Sequence, residues 1–412
     1  MRAFHRRLRY QALHGRKGIL YSMAFMLLFF AIFDGIVMYL SPIVMQRSGI
    51  PLGTVGLILG FSSIAGMLFD ILLLRLLAKS TYRKIFFAMF ITASATPFFL
   101  FGPSTITFYL IAMALWGLYY NLYDIGTLDF IGRETVIKQH TSSSGILKVF
   151  EGLGYLLAPF IASLLLISLS VHKTFPLPMF LFILIAFLIF LGISTTKSYT
   201  NKRLQSRSTP SGFFARITTW VHVGKLILPI LLLTLVINLV DDAIWTIGPI
   251  FSETLHIPDG PSGGLFMLAY ALPPLFTGWI VGHLVKKFGK KHTALFGLFF
   301  GSLLLLVIGF VTMKFMLIAV IFCVSFLFAT VWPTITAAYA DVIIRSPSYQ
   351  DEVETVDDYF TNIGDTIGPI LGGYAAQYAG LPHTFVIIGI LGMIIALVLM
   401  KYTPKNLAVQ RI

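Results

Sequence analysis

Twelve apolar segments run along this chain, near residues 19–46, 51–78, 84–101, 104–131, 142–169, 176–196, 222–252, 261–285, 292–312, 315–340, 356–380 and 382–400. Each is long enough to cross roughly 30 Å of hydrocarbon as a helix. A lipid interior offers no hydrogen-bond partners, so a spanning segment must satisfy its own backbone, and segments of this length do so as helices. The pattern restricts the chain to an all-α integral membrane protein. Composition agrees: 57% of the 412 residues are hydrophobic and 11% charged, too little polar surface for a soluble chain of this size. The abundant Phe and Gly suit lipid-facing and closely packed helices respectively.

The net charge of +13 is a topology signal and gives no reason to expect a nucleic-acid partner. With the N-terminus inside, only Arg47, Lys173 and Lys314 of the 30 Lys and Arg fall on outward loops. That asymmetry obeys the positive-inside rule and predicts both termini cytoplasmic; the expected location of this multi-pass protein is the cell (plasma) membrane. The basic start "RAFHRRLRYQALHGRKG" precedes an apolar run too long for a signal peptide and without a prompt cleavage site, so the first span is expected to be retained. The single cysteine, Cys323, allows no intrachain disulfide and is expected as a small buried packing residue.

The longest hydrophilic stretch, "TTKSYTNKRLQSRSTPSGFFARITTW", lies at the midpoint and reads as a linker. The expected organisation is a cytoplasmic segment over 1–18, a six-helix bundle over 19–196, a cytoplasmic linker over 197–221, a second six-helix bundle over 222–403, and a tail over 404–412. Sliding the second half over the first by 207 residues places Asp34 on Asp241, Pro42 on Pro249, Gly53 and Gly56 on Gly260 and Gly263, and Lys79 and Lys84 on Lys286 and Lys291. At 212 residues "DFIGR" (129–133) meets "DVIIR" (341–345), and at 210 Ala158-Pro159 meets Gly368-Pro369. Such in-phase prolines, acids and basic loops point to two pseudo-symmetric six-helix bundles made by duplication.

Carboxylates stand inside several of these spans. Asp34 interrupts "AIFDGIVMYLSP", where an ionised side chain costs about 2.5–3.5 kcal/mol even on lenient insertion scales. Asp34, Asp241, Asp242 and Asp365 lie near mid-membrane by position, and Asp70, Asp124 and Glu151 in the inner half. Lys148, one turn before Glu151, is expected to pair with it. Asn238, Asp241, Asp242 and Trp245 share a polar stripe at i, i+3, i+4 and i+7. The acids outnumber nearby bases, so some should face water, hold a proton or meet a cation.

Two motifs carry a family resemblance. "GHLVKKFGKKH" (282–292) resembles the loop signature Gly-x-Leu-x-Asp-Arg-x-Gly-Arg-Arg of the major facilitator superfamily, with Gly282, Leu284, Gly289, Lys290 and Lys291 matching in kind and Lys286 replacing the Asp. Its first-half copy, "RLLAKSTYRK" (75–84), has Lys79 in place of the Asp and Tyr82 in place of the turn glycine. "GDTIGPILGG" (364–373) resembles the Gly-x-x-x-Gly-Pro-x-x-Gly-Gly pattern of antiporter-type members, with Gly364, Gly368, Pro369, Gly372 and Gly373; the fifth span holds a softened copy around Gly154 and Pro159. Small residues four apart let helices approach, and proline bends the span.

The resemblance, spread over the full length, implies that the first, fourth, seventh and tenth spans line a central cavity. Trp116, Tyr120, Tyr123 and Asp124, with Trp332, Thr336 and Tyr339, would then offer rings and charge suited to an amphipathic or cationic solute. The implied activity is secondary transport by alternating access, expected as proton-coupled export. Proton-coupled uptake of a nutrient, or a non-transporting receptor or scaffold, are the alternatives. The expected partners are a small-molecule solute, protons and the lipid bilayer, with the chain acting as a monomer. No Walker-type phosphate loop and no His/Cys cluster at metal-ligand spacing occurs, so no cofactor, metal or catalytic residue is expected, and the chain does not read as an enzyme. The basic loop residues Lys79, Arg83 and Lys84 are expected to meet Asp357 or Asp358 of "DEVETVDDY" as an inner gate. Asp34, with Asp241 or Asp242, is expected to couple proton movement to solute movement.

Overall fold

The computed structural model describes residues 2–77, 80–135, 139–168, 177–195, 213–255 and 262–403. Among them every regular element is helical: α1 (Arg2–Arg47), α2 (Leu52–Leu76), α3 (Tyr82–Leu100), α4 (Ile106–Glu134), α5 (His140–Ser168), α6 (Leu177–Thr195), α7 (Phe213–Thr254), α8 (Ser262–Ala271), α9 (Pro274–Ile308), α10 (Lys314–Phe328), α11 (Val331–Arg345), α12 (Gln350–Ala379) and α13 (Leu381–Tyr402), with a short 3-10 turn at Pro347–Tyr349. Ten stretches among the described residues are long and apolar enough to cross a membrane. One of them, Gly264–Ile308, is 45 residues long and contains two spans joined at Gly289. The remaining crossing is α12, whose acids and glycines make it less apolar than the rest. Twelve crossings result.

Two spans expected as continuous helices are interrupted. The eighth stops at Ala271 and restarts at Pro274, and the tenth stops at Phe328 and restarts at Val331. Proline has no N–H to give to the carbonyl four residues earlier. Pro274 therefore leaves the Tyr270 carbonyl without a helical donor, and Pro333 does the same for Ala329. Side chains take over both: Ser325 Oγ donates to Tyr270 O, and Thr277 Oγ1 donates to Ala329 O at 3.5 Å.

The chain forms two compact units, Met1–Met38 with Leu68–Ser206, and Tyr39–Met67 with Arg207–Ile412. In the first, Phe30 of α1 stacks on Tyr123 at 5.5 Å and meets Tyr119 and Phe90 edge-on. Here α5 lies backbone-close to α1, because a Cβ on Gly154 would fall 2.6 Å from the Leu28 carbonyl and from the Ala31 methyl. The second unit repeats that contact 207 to 210 residues later: a Cβ on Gly364 of α12 would fall 2.6 Å from the Leu235 carbonyl of α7 and 2.8 Å from Asn238. Tyr39–Met67 group with this unit partly because Gly56 of α2 lies against the Pro369 carbonyl and Gly373 of α12. Gly53 N–H also donates to Gln377 Oε1 at 2.9 Å.

The expectation for Cys323 fails: it is exposed on α10. That helix is apolar on all sides, so its sequence carries no period from which to read the buried face.

Gly154→Ala and Gly364→Ala are expected to lower stability by about 1–3 kcal/mol each through overpacking. Gly145→Ala, on the same α5 but with open space around its Cα, should be tolerated. Thermal unfolding of the three purified variants in detergent checks the contrast.

Candidate functional site

Asp34 is 2% exposed, yet both its carboxyl oxygens are hydrogen-bonded. Trp116 Nε1 donates to Oδ1 at 3.0 Å, Tyr119 OH donates to the same oxygen, and Tyr155 OH donates to Oδ2 at 2.7 Å. Trp116 and Tyr119 are three residues apart on α4 and so share a face. Tyr155 directly follows Gly154, and the close approach which that glycine permits brings its ring beside α1. A Cβ on Gly35 would lie 3.2 Å from that ring. A carboxylate has about four acceptor sites, and three are filled here by neutral donors. Each hydrogen bond to a charged group contributes about 1.5–3 kcal/mol, which offsets part of the cost of burying this carboxylate.

In the second unit the polar stripe of α7 divides. Asp241 and Trp245 turn toward α8: Tyr270 OH donates to Asp241, and the Trp245 ring meets the Tyr270 ring edge-on at 6.0 Å. Asn238 and Asp242 turn toward α12. Asn238 Nδ2 donates to the Thr234 carbonyl at 2.8 Å and reaches Thr361 Oγ1 at 3.5 Å. Asp242 lies against Gly368, where a Cβ would sit 3.1 Å from its own, and has Asp365 and Asp241 as charged neighbours. At the repeat offsets already given, Tyr155 corresponds to Asp365, Trp116 to Phe328 and Tyr119 to Val331. The second unit thus keeps the acid and loses all three donors.

Elsewhere in the first unit, Lys148 pairs with Glu151 at 2.8 Å, as the one-turn spacing predicts. Glu151 is buried, Asp124 is a charged neighbour of both members of the pair, and Asp70 is in turn a neighbour of Asp124. Tyr123 is 3% exposed, and its hydroxyl has no hydrogen-bond partner. Tyr120 is 42% exposed, and Asp124 and Thr336 are exposed as well, whereas Tyr339 is buried with its hydroxyl 2.9 Å from Thr234 Oγ1. Trp332 is half-buried.

The loop motif is built differently in the two units. Gly289 adopts φ 79°, a left-handed turn that a side chain resists, and Lys290 then pairs with Asp341 at 2.6 Å. Lys291 is buried with its ammonium on the Thr403 carbonyl, while Gly282 and Lys286 are exposed. The first unit enters α3 through an extended Thr81, so Tyr82 can stand where the signature has glycine. Its free N–H goes to Asp129 at 2.7 Å. Arg83 donates to the Tyr82 hydroxyl at 3.2 Å, and Lys84 is exposed. Lys79 lies outside the described residues. Asp357 is half-buried beside Tyr339 and Thr234, and Asp358 is exposed. In the packing motif, Gly372 lies against Ala243, and Gly373 against Gly56; Pro159 and Pro369 sit inside α5 and α12. Among the described residues no group of three His, Cys, Asp or Glu is arranged to hold a metal.

Reading the sequence missed Tyr119, Tyr155, Tyr270 and Ser325, and also the Tyr39 OH to Glu253 bond of 2.7 Å. The one available signal was spacing: Tyr119 follows Trp116 by three, and Tyr155 adjoins the packing glycine.

Tyr119→Phe is expected to lower stability by about 1.5–3 kcal/mol, because it removes a donor from a buried carboxylate. Tyr123→Phe removes an unpartnered hydroxyl and should leave stability unchanged or slightly raised. Melting curves of the two variants, compared at neutral pH, test the pair.

The sequence profile of the Major Facilitator Superfamily matches residues 23–350. No curated protein matches the chain in sequence at a significant level. Solved structures resemble it in fold. A bacterial homolog of the human lysosomal transporter Spinster, in an inward-facing and unoccupied conformation, is 13% identical with a TM-score of 0.73, covering 93% of this chain and 96% of that one. The nucleoside transporter NupG is 12% identical with a TM-score of 0.71, covering 93% and 98%. A D-xylose-proton symporter is 12% identical with a TM-score of 0.71, covering 96% and 99%. At such identities the repeated helical architecture is what is shared, while the profile match over most of the length joins the sequence itself to that group. The chain belongs to the Major Facilitator Superfamily, and it is a membrane transporter with the family's twelve-helix fold, not an enzyme.

Proposed function

We propose that this protein exports a small amphipathic or cationic solute by alternating access, driven by protons, with Asp34 as the proton carrier. The observation that supports this reading is the three-donor cage. While Trp116, Tyr119 and Tyr155 surround Asp34, its carboxylate is stabilised without a proton. A shift of α4 or α5 against α1 withdraws donors that nothing in the hydrocarbon replaces. The carboxylate then takes a proton from hydronium, leaving water and a neutral acid, and gives it back when the cage reforms. Asp241, Asp242 and Asp365, which lack such a cage, are proposed as its partners, and Asp70, Asp124 and Glu151 as acids on the inner route.

Tyr120 and Trp332 are proposed as aromatic surfaces for the solute, with Asp124 supplying charge. The basic residues Lys79, Arg83 and Lys84, with Asp357 and Asp358, are proposed as an inner gate. Two six-helix domains on either side of the 197–221 linker, a monomer, a plasma-membrane location and cytoplasmic termini complete the proposal. Coupled uptake is the second reading, favoured by the fold shared with a D-xylose-proton symporter.

Inverted membrane vesicles, loaded against a panel of sugars, amino acids and lipophilic cations, separate the two directions. Asp34→Asn keeps the shape and one accepting oxygen but cannot cycle a proton. It should abolish accumulation driven by a pH gradient and spare solute exchange; unchanged accumulation in the folded variant would assign Asp34 to structure alone.

A further inference from the structure

The two interrupted spans of the second unit are tied to each other and to Asp241. Consecutive prolines at 273 and 274 deprive the carbonyls of Ala269 and Tyr270 of their helical donors, and Pro333 deprives that of Ala329. A bare carbonyl in this environment costs free energy comparable to a lost hydrogen bond. Ser325 and Thr277 each reach across to the other span's break, the first onto Tyr270 O and the second onto Ala329 O at 3.5 Å. Ser325 is 3% exposed and Thr277 1%, so water does not compete. Tyr270 is consequently held at both ends, its backbone by Ser325 and its hydroxyl by Asp241.

From this geometry we infer that Ser325 is a positioning residue for Asp241, acting through Tyr270. Ser325 fixes where the broken end of α8 sits and so where the Tyr270 hydroxyl points. Tyr270 is the one hydrogen-bond donor given to Asp241 among the described residues. The titratable groups near Asp241 are Tyr270, which faces it from α8, and the charged neighbours Asp242 on its own helix and Asp365 on α12, so one donor stands against two acids. A serine that bonds only the Tyr270 backbone thereby governs how readily Asp241 exchanges a proton. The inference rests on the reading of Asp241 as part of the proton route, and its geometric half can be tested apart from that reading.

The test uses full-length protein in lipid nanodiscs and infrared difference spectroscopy, with no solute. The ring C–O band of Tyr270 is identified by its loss in Tyr270→Phe, and the carboxyl band of Asp241 by its loss in Asp241→Asn. Ser325→Ala should displace the tyrosine band, and Ser325→Cys, with a weak S–H donor of similar size, should displace it part of the way. A band unmoved in both variants overturns the positioning role. Ser325→Ala should also move the pH midpoint of the Asp241 carboxyl band in the same sense as Tyr270→Phe, by up to about one pH unit, a tenfold change. The double variant should titrate where Tyr270→Phe alone does; additive shifts overturn action through Tyr270. A displaced tyrosine band with an Asp241 band that never titrates keeps the positioning role and removes Asp241 from the proton route.

Discussion

The contact on which the first unit's buried acid depends is the backbone approach of α5 to α1 at Gly154. Hydrocarbon supplies neither hydrophobic drive between helices nor hydrogen bonds to a stray polar group. Association therefore rests on close packing, and a carboxylate survives only where packing delivers donors to it. One missing Cβ does both. It lets α5 lie on the Leu28 carbonyl and Ala31, and it carries the next residue, Tyr155, to Asp34. A residue that makes no polar contact of its own thus sets the chemistry of the acid beside it.

The duplication shows which part of that arrangement is packing and which is chemistry. Gly364 repeats the approach of Gly154 almost to the atom, on a carbonyl 207 residues further along. The donors are not repeated. Where Tyr155 points at Asp34, the corresponding residue is Asp365, which adds a second acid beside Asp242. The packing scaffold is common to both units, and the polar contents diverged within it. The first unit cages one of its acids, and the second holds three acids that share little support.

Much of this was legible in the chain itself. Span length and charge asymmetry carry the fold class because the bilayer sets both. The offsets of 207 and 210 carry the repeated packing, since proline and glycine positions register helix contacts. The Lys148–Glu151 pair follows from one-turn spacing. Other features had no usable signal. Rings such as Tyr119, Tyr123 and Tyr155 read alike in an apolar helix, although two hold a carboxylate and one has an unpartnered hydroxyl. The breaks at Leu272–Pro273 and Ala329–Thr330 needed the three-dimensional answer to where the freed carbonyls go. Cys323 lies on a helix with no polar face to orient it.

At the crossing one turn past Gly154, α1 offers Gly35 and α5 offers Ala158, whose methyl lies 2.5 Å from where a Cβ on Gly35 would be. The second unit meets at the same place with Asp242 and Gly368, the bare residue having changed sides. Each crossing has room for a single Cβ. If both units descend from one ancestral half, that half had glycine on at least one side. Today Asp242 is faced by Gly368, and Ala158 by Gly35. The two units are consequently no longer exchangeable parts: an alanine in place of Gly368 would put its Cβ 2.5 Å from the Leu239 carbonyl and collide. The divergence of the halves is locked in by the width of one methyl group.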